Sequence, residues 1–234
     1  MIAVVIPTYN ERANLETLVK RVFALNIADL RLFIADDNSP DGTGALAQEL
    51  ARKYPITVFH REKKLGLGKA YIDSFLEILR LTQNKPDYII QMDADLSHEP
   101  EVIPKMLEQI KNCDLVLGSR YIKGGKIVNW DFFRKLISRF GNIYARVILG
   151  LPYQDLTGGF KCFRREVLEN INLSELSSTG YNFQIETTYR AYQKGYRISE
   201  IPISFTERKI GTSKFNLGII LESFWKVLLL RLRN

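Results

Sequence analysis

The densest chemistry in the chain lies in the run Gln91-Met92-Asp93-Ala94-Asp95-Leu96-Ser97-His98. It closes a short apolar stretch that reads as a strand, and strand alternation puts Asp93 and Asp95 on one side of the chain. Two carboxylates so placed suit a hard divalent cation that also holds substrate phosphates. Without such an ion, unpaired like charges would be costly to bury. A second acidic group, Asp36-Asp37-Asn38-Ser39-Pro40-Asp41-Gly42, follows another strand-like run. An Asx turn accounts for Asp41-Gly42 but less well for Asp36-Asp37. An Asp at this site can hold a ribose hydroxyl or a base amino group. Pro7-Thr8-Tyr9-Asn10-Glu11 closes the first strand. These residues read either as a turn in which Asn10 caps the next helix, or as a site in which Tyr9 stacks on a base and Glu11 accepts from its edge.

Lys64-Leu65-Gly66-Leu67-Gly68-Lys69 fails as a phosphate loop, because the earlier glycine is missing and Ala70 follows Lys69. It reads instead as the entry to a helix. Further along, Arg120, Arg208 and Lys214 are cations of the kind that meet a diphosphate and its metal. The Thr157-Gly158-Gly159 turn permits close backbone approach to a ligand.

The chain that carries these residues has 234 of them, 46% hydrophobic and 25% charged. It is therefore too apolar for a disordered chain and suits one domain, 1–234. The cysteines, Cys113 and Cys162, lie outside any CxxC pattern, which excludes a disulfide scaffold and fits a reduced, cytosolic compartment. No GxGxxG follows the first strand, which argues against a dinucleotide cofactor. The net charge of +7 favours anionic partners. Because the positive charge falls on the phosphate-site motifs and on amphipathic helices, nucleic acid is not an expected partner. The opening MIAVVIP is too short for a signal sequence. No uninterrupted apolar run reaches the ~18 residues of a spanning helix.

Apolar runs at Ile2–Ile6, Arg31–Ala35, Ile56–Phe59, Tyr88–Met92 and Leu115–Gly118 predict strands. Helical patterns at Glu11–Leu25, Gly44–Lys53, Lys69–Leu81 and Pro100–Lys111 separate them. This alternation predicts an α/β fold with a mostly parallel central sheet flanked by helices, and a ligand site beyond the carboxyl ends of the strands. In the second half, Trp130–Leu149 predicts an amphipathic helix whose apolar stripe runs through Phe133, Leu136, Ile137, Phe140, Ile143, Tyr144 and Val147. A short strand after the glycine turn, a helix near Asn182–Lys194, a strand at Arg197–Ile201 and a basic amphipathic helix at Ile219–Leu232 complete the pattern. Each amphipathic stripe either packs on the sheet or lies in a membrane interface.

In chain order, PTYNE, DDNSPDG, MDADLSH, GSRY, DLTGGF, QIE and ERKIGTSK resemble the inverting family 2 glycosyltransferases, and DADLSH resembles their mannose branch. The resemblance spans nearly the whole chain. It implies a GT-A (Rossmann-like) fold, with roughly 1–118 binding the nucleotide sugar and 119–234 the acceptor. It also implies GDP-mannose as donor, Mg²⁺ or Mn²⁺ as cofactor, and a polyprenyl (dolichyl) phosphate as acceptor. By position, Pro7, Tyr9, Glu11, Ile34 and Asp36 would hold the guanosine. Asp93 and Asp95 would bind the metal, with Ala94 and Ser97 beside the donor. Arg120, Arg208 and Lys214 would neutralise the diphosphate, and with Asp95 they form the expected catalytic set. Arg134 and Ser138 match positions that grip the acceptor phosphate. Glu186, in QIE, stands where relatives with hydroxyl acceptors place a base, and is assigned a structural or sugar-contacting role. The lipid acceptor implies attachment at the cytoplasmic face of a membrane, directly or through an anchoring partner protein.

A phosphate monoester has a second pKa near ~6 and is already anionic at neutral pH. No strong base is then needed, and catalysis reduces to positioning and charge stabilisation. In-line attack on the α-linked donor would give a β-linked mannosyl phosphate. Two other readings remain open on sequence: a relative that uses UDP-glucose, and a catalytically idle protein that binds a nucleotide or a lipid phosphate.

Overall fold

The computed structural model describes residues 1–176, 181–207 and 217–232. Strands β1 (Ile2–Thr8), β2 (Leu30–Asp36), β3 (Ile56–His60), β4 (Tyr88–Gln91) and β5 (Leu115–Ser119) alternate with helices α1 (Arg12–Ala24), α2 (Thr43–Leu50), α3 (Leu67–Leu79) and α4 (Ile103–Gln109). After these come β6 (Lys126–Val128), α5 (Phe132–Leu149), β7 (Lys161–Arg164), α6 (Arg165–Asn170), α7 (Tyr181–Gln193), β8 (Ile198–Pro202), β9 (Ser204–Thr206) and α8 (Leu217–Leu232). The main sheet runs β3-β2-β1-β4-β7-β5-β8, and β6 pairs with β9 in a two-stranded ribbon. Every main-sheet pairing is parallel except those of β7, which is antiparallel to both β4 and β5.

Central strands are apolar on both faces because helices cover both. Val4 and Ile6 of β1 join Leu15, Leu18, Val19 and Val22 of α1 in one core, while Ala3 and Val5 join Tyr71, Phe75 and Ile78 of α3 in the other. The α1 residues follow a 3.6-residue stripe, and each buried aliphatic chain contributes on the order of 2 kcal/mol. A third cluster ties α5, α7 and α8 together through Ala145, Leu149, Ile185, Tyr189 and Val227.

The predicted alternation is present throughout the first half, with boundaries that agree within three residues. Two corrections have physical causes. Asn10 does not cap α1: it sits at φ 59°, and the first-turn N–H of Arg12 donates across the chain to Asp41 Oδ2 at 3.1 Å. Second, β4 stops at Gln91, so Asp93 and Asp95 lie in the turn beyond the strand, where strand alternation does not set their direction. Of the two readings open for the α5 stripe, packing on the sheet does not hold for most of it: Phe133 and Val147 are each 73% exposed, and Leu136, Phe140 and Ile143 are also exposed. The inward face of α5 is Asn142, Ala145 and Leu149.

Candidate active site

Pro7 and Thr8 end β1 in register with Ala35 and Asp36 of β2, which brings the two motifs together at neighbouring carboxyl ends. Asp36 is buried and accepts from Thr8 Oγ1 at 3.0 Å, from the Ser39 N–H at 3.0 Å and from Ser39 Oγ at 2.6 Å. A side chain on Gly44 would start 2.7 Å from its Oδ2, so only glycine lets α2 begin this close. Asp37 pairs with Arg61, which also reaches Asp73 at 2.8 Å. Burial outweighs the nearby guanidinium and leaves the Asp37 carboxyl above its usual range. The Ile34 side chain lies in the sheet core. Glu11 accepts from Asn14 Nδ2 at 2.8 Å, and the Lys64 ammonium rests 3.6 Å from the centre of the Tyr9 ring. Lys69 pairs with Asp73 at 2.7 Å on the surface of α3, in keeping with a helix entry.

Beyond β4 the chain makes a tight turn in which Leu96 takes φ 62°. For a bulky side chain this left-handed geometry is strained, at a cost on the order of 1–3 kcal/mol. Across that turn the Ser97 N–H donates to Asp95 Oδ1 at 3.1 Å. Asp93 accepts from the Tyr71 hydroxyl at 3.1 Å, and its own N–H donates to His98 Nδ1 at 3.2 Å. His98 stacks on Phe160, 5.0 Å between centroids. Burial lowers its pKa and outweighs the opposing Asp93 and Asp95 charges, so the ring stays neutral. Burial, then the Asp93 charge, raise the Tyr71 phenol well above its ordinary value. It is therefore a fixed donor. A side chain on Gly159 would begin 3.4 Å from Asp93 Oδ2, so glycine leaves that flank of the carboxylate uncovered.

The turn bearing Gly159 is held from two sides. Asn142, on the inward face of α5, accepts from the N–H groups of Leu156 and Thr157 at 2.7 and 3.2 Å and donates to Thr157 Oγ1 at 3.0 Å. Arg120 forms a bidentate pair with Asp155, both contacts 2.7 Å, and donates to Thr157 Oγ1 at 2.8 Å. Burial alone would raise Asp155, but the Arg120 charge and hydrogen bonds hold it below the usual carboxylate range. Arg134 lies over the Trp130 ring at 4.1 Å and pairs with Glu207 at 2.5 Å. Ser138 accepts from the Tyr121 hydroxyl at 2.7 Å. Glu186 is buried and pairs with Arg190 at 2.8 Å. Arg208 and Lys214 lie outside the described residues.

Among the described residues no three or more His, Cys, Asp or Glu side chains form a self-sufficient metal cage. Asp93 and Asp95 nevertheless fit a hard divalent ion of the Mg²⁺ kind, which typically takes one or two carboxylates and completes its shell with water and substrate phosphates. Both are half-buried, and the glycine at 159 leaves one flank of Asp93 uncovered. Three contributors escaped the sequence reading. Tyr71 has the pattern of a core aromatic, Asn142 of a polar helix residue, and Leu96 carries no signal for its left-handed backbone.

Residues 3–171 match the family described as Glycosyl transferase family 2. The chain is 45% identical over 227 residues to the polyprenol monophosphomannose synthase of Mycolicibacterium smegmatis, covering 96% of this chain and 84% of that one. It is 43% identical to the undecaprenyl-phosphate mannosyltransferase of Micrococcus luteus, covering 94% and 89%. It is 42% identical to the dolichol-phosphate mannosyltransferase of Pyrococcus furiosus, covering 94% of this chain but only 61% of that longer protein. Among solved structures, the fold matches glucosyl-3-phosphoglycerate synthase from Mycobacterium tuberculosis in complex with Mn²⁺, UDP and glucosyl-3-phosphoglycerate, with TM-score 0.67, 19% identity, and 100% and 79% coverage. It also matches a mannosyltransferase from Pyrobaculum calidifontis in complex with GDP-Man and Mn²⁺, with TM-score 0.65, 16% identity, and 100% and 64% coverage. Both neighbours bear out the GT-A fold.

Proposed function

The chain belongs to glycosyl transferase family 2, and from that premise we propose that it transfers mannose from GDP-mannose to a polyprenyl (dolichyl) phosphate. Transfer goes with inversion and depends on Mg²⁺ or Mn²⁺. The observation that carries this reading is the Asp93/Asp95 pair beside the Gly159 turn, in a chain 42–45% identical to three enzymes named for mannose transfer or mannose-phosphate synthesis on polyprenols. Tyr9, Glu11 and Asp36, gathered at the ends of β1 and β2, are the guanosine-binding group. Asp93 and Asp95 hold the cation, which when bound supplies positive charge to the leaving diphosphate. Arg208 and Lys214 add cations by resemblance, and Arg120, fixed on Asp155, holds the turn against which the donor lies. Arg134 exchanges Glu207 for the acceptor phosphate, with Ser138 one turn along α5. A phosphate dianion needs no base, in keeping with the engagement of Glu186 by Arg190.

No helix among the described residues is long and apolar enough to cross a membrane. The outward face of α5 instead suits peripheral attachment at the cytoplasmic membrane surface: exposed Phe132, Phe133, Leu136, Phe140 and Val147 share the helix with Lys135 and Arg139. Phe133→Ser combined with Val147→Ser should leave folding intact and lower recovery on anionic vesicles by about tenfold, the equivalent of about 1.4 kcal/mol.

The test of function is transfer of labelled sugar into an organic-extractable lipid, with polyprenyl phosphate and either GDP-mannose or UDP-glucose. Label from GDP-mannose that disappears with EDTA and falls at least about a thousandfold in Asp95→Ala supports the reading. Label from UDP-glucose alone overturns the donor. Failure of both donors, with GDP still bound, overturns self-sufficient transfer and directs the search to a membrane partner.

A further inference from the structure

The floor of the site holds a buried polar path that neither the motifs nor the proposed chemistry uses. Lys161 of β7 is fully buried, and its ammonium donates to the Gln184 carbonyl at 2.5 Å and to Thr188 Oγ1 at 2.9 Å. Gln91, its cross-strand partner, donates to Gln184 Oε1 at 2.7 Å. The Gln91 amide also lies beside the Tyr71 hydroxyl and lowers its pKa against the stronger opposing effect of burial, and that hydroxyl donates to Asp93 Oδ1. The Tyr71 ring is completely buried, stacked on Phe183 with an interplanar angle of 1° and tilted against Phe75.

A phenol ring completely buried against two aromatic rings and bonded at its hydroxyl has one direction in which to donate. We infer that Tyr71 is the positioning residue for Asp93: by holding Oδ1, it fixes the carboxylate plane beside the Gly159 flank, where both oxygens lie within 3.6 Å of the point at which a side chain would begin and where a divalent cation and the donor diphosphate would meet. The buried network of Lys161, Gln184 and Gln91 places a polar amide beside the phenol. Such outer partners orient ligating carboxylates, and their loss typically costs about 10- to 100-fold in metal affinity or activity. This inference rests on the metal-dependent glycosyl-transfer reading.

Tyr71→Phe removes one oxygen and keeps the stacked ring, so a role in packing alone predicts no change in metal binding. The measurement is Mn²⁺ affinity of the full chain with GDP present, read from the electron paramagnetic resonance of free Mn²⁺. Tyr71→Phe should raise the Mn²⁺ Kd about tenfold, with GDP affinity in the absence of metal unchanged. Gln91→Met, which removes the polar amide beside the phenol, should shift the Kd in the same direction by about threefold. A Kd within about twofold of wild type in a folded Tyr71→Phe chain overturns the inference. If that variant does not fold, an unchanged Kd in folded Gln91→Met does so. A wild-type chain that binds no Mn²⁺ overturns the metal-dependent reading itself, a separate result.

Discussion

After β2, Asp36 accepts from Thr8 and Ser39, Asp37 from Arg61, and Asp41 from Thr43 and Arg12. After β4, Asp93 accepts from Tyr71, and Asp95 from a backbone N–H within its own turn. Both groups are acidic clusters at strand ends, and by composition the first is the richer. The difference lies in where the bonds lead. The β2 carboxylates knit together β1, α1, α2 and the Arg61 loop, so Asp37 and Asp41 hold the walls of the site while Asp36 is set between Thr8 and Ser39 at its nucleoside end. The β4 carboxylates are held for direction, one by a rigid phenol and the other by a strained turn. Density of charge in a sequence therefore points to a strand end worth inspecting, while the partners decide which carboxylates tie the wall and which face a ligand.

That contrast breaks first at Arg61. Arg61→Ala leaves Asp37 buried without its cation and deprives Asp73 of a partner, which should cost about 3–5 kcal/mol and lower Tm by about 10 °C in a circular-dichroism melt. A loss below about 1 kcal/mol would mean that the β2 cluster is not a structural tie.

Lys161 sharpens the contrast with a smaller effect. Burial pushes its pKa down to about 7, against the pull of Asp155. Between that value and the ordinary lysine range the unfolded chain carries a proton that the folded chain lacks, so stability rises with pH across this window. In urea titrations wild type should gain about 2 kcal/mol on Lys161→Met between about pH 7.5 and about pH 9. A constant difference would show that Lys161 stays charged in the fold.

The smallest stability effect belongs to Asp95. Asp95→Asn keeps the Ser97 hydrogen bond and should change stability by less than about 0.5 kcal/mol, even as Mn²⁺ binding is lost. Unfolding of this variant would erase the distinction between the two clusters.

Much of this arrangement could be read before any coordinates. Parallel strands buried on both faces appear as continuous apolar runs, so β1 to β5 and their intervening helices stand out, and the site motifs fall just past them. The ribbon strands β6 and β9 are three residues each, too short to carry a period. The stripe on α5 was visible, but its orientation was not. Helix periodicity marks a face without saying which side meets the protein, and here Asn142 faces inward because the Thr157 turn needs its amide. The Tyr71–Asp93 contact joins residues 22 apart along the chain. Nothing local distinguishes that tyrosine from its neighbours in the α3 core.

The antiparallel strand β7 also bears on how the molecule comes into being. β5 pairs only with β7 and β8, both of which lie later in the chain, and β7 fills the gap between β4 and β5. A nascent chain that has emerged as far as Ser119 therefore has an open β4 edge and a β5 strand with no neighbour in the main sheet. Exposed edges of this kind invite intermolecular pairing, and non-local strand insertion slows folding. The ribosome must deliver Arg164 before the sheet can join across its middle. A split of the gene near residue 119 would produce two fragments, each missing the strand it needs from the other.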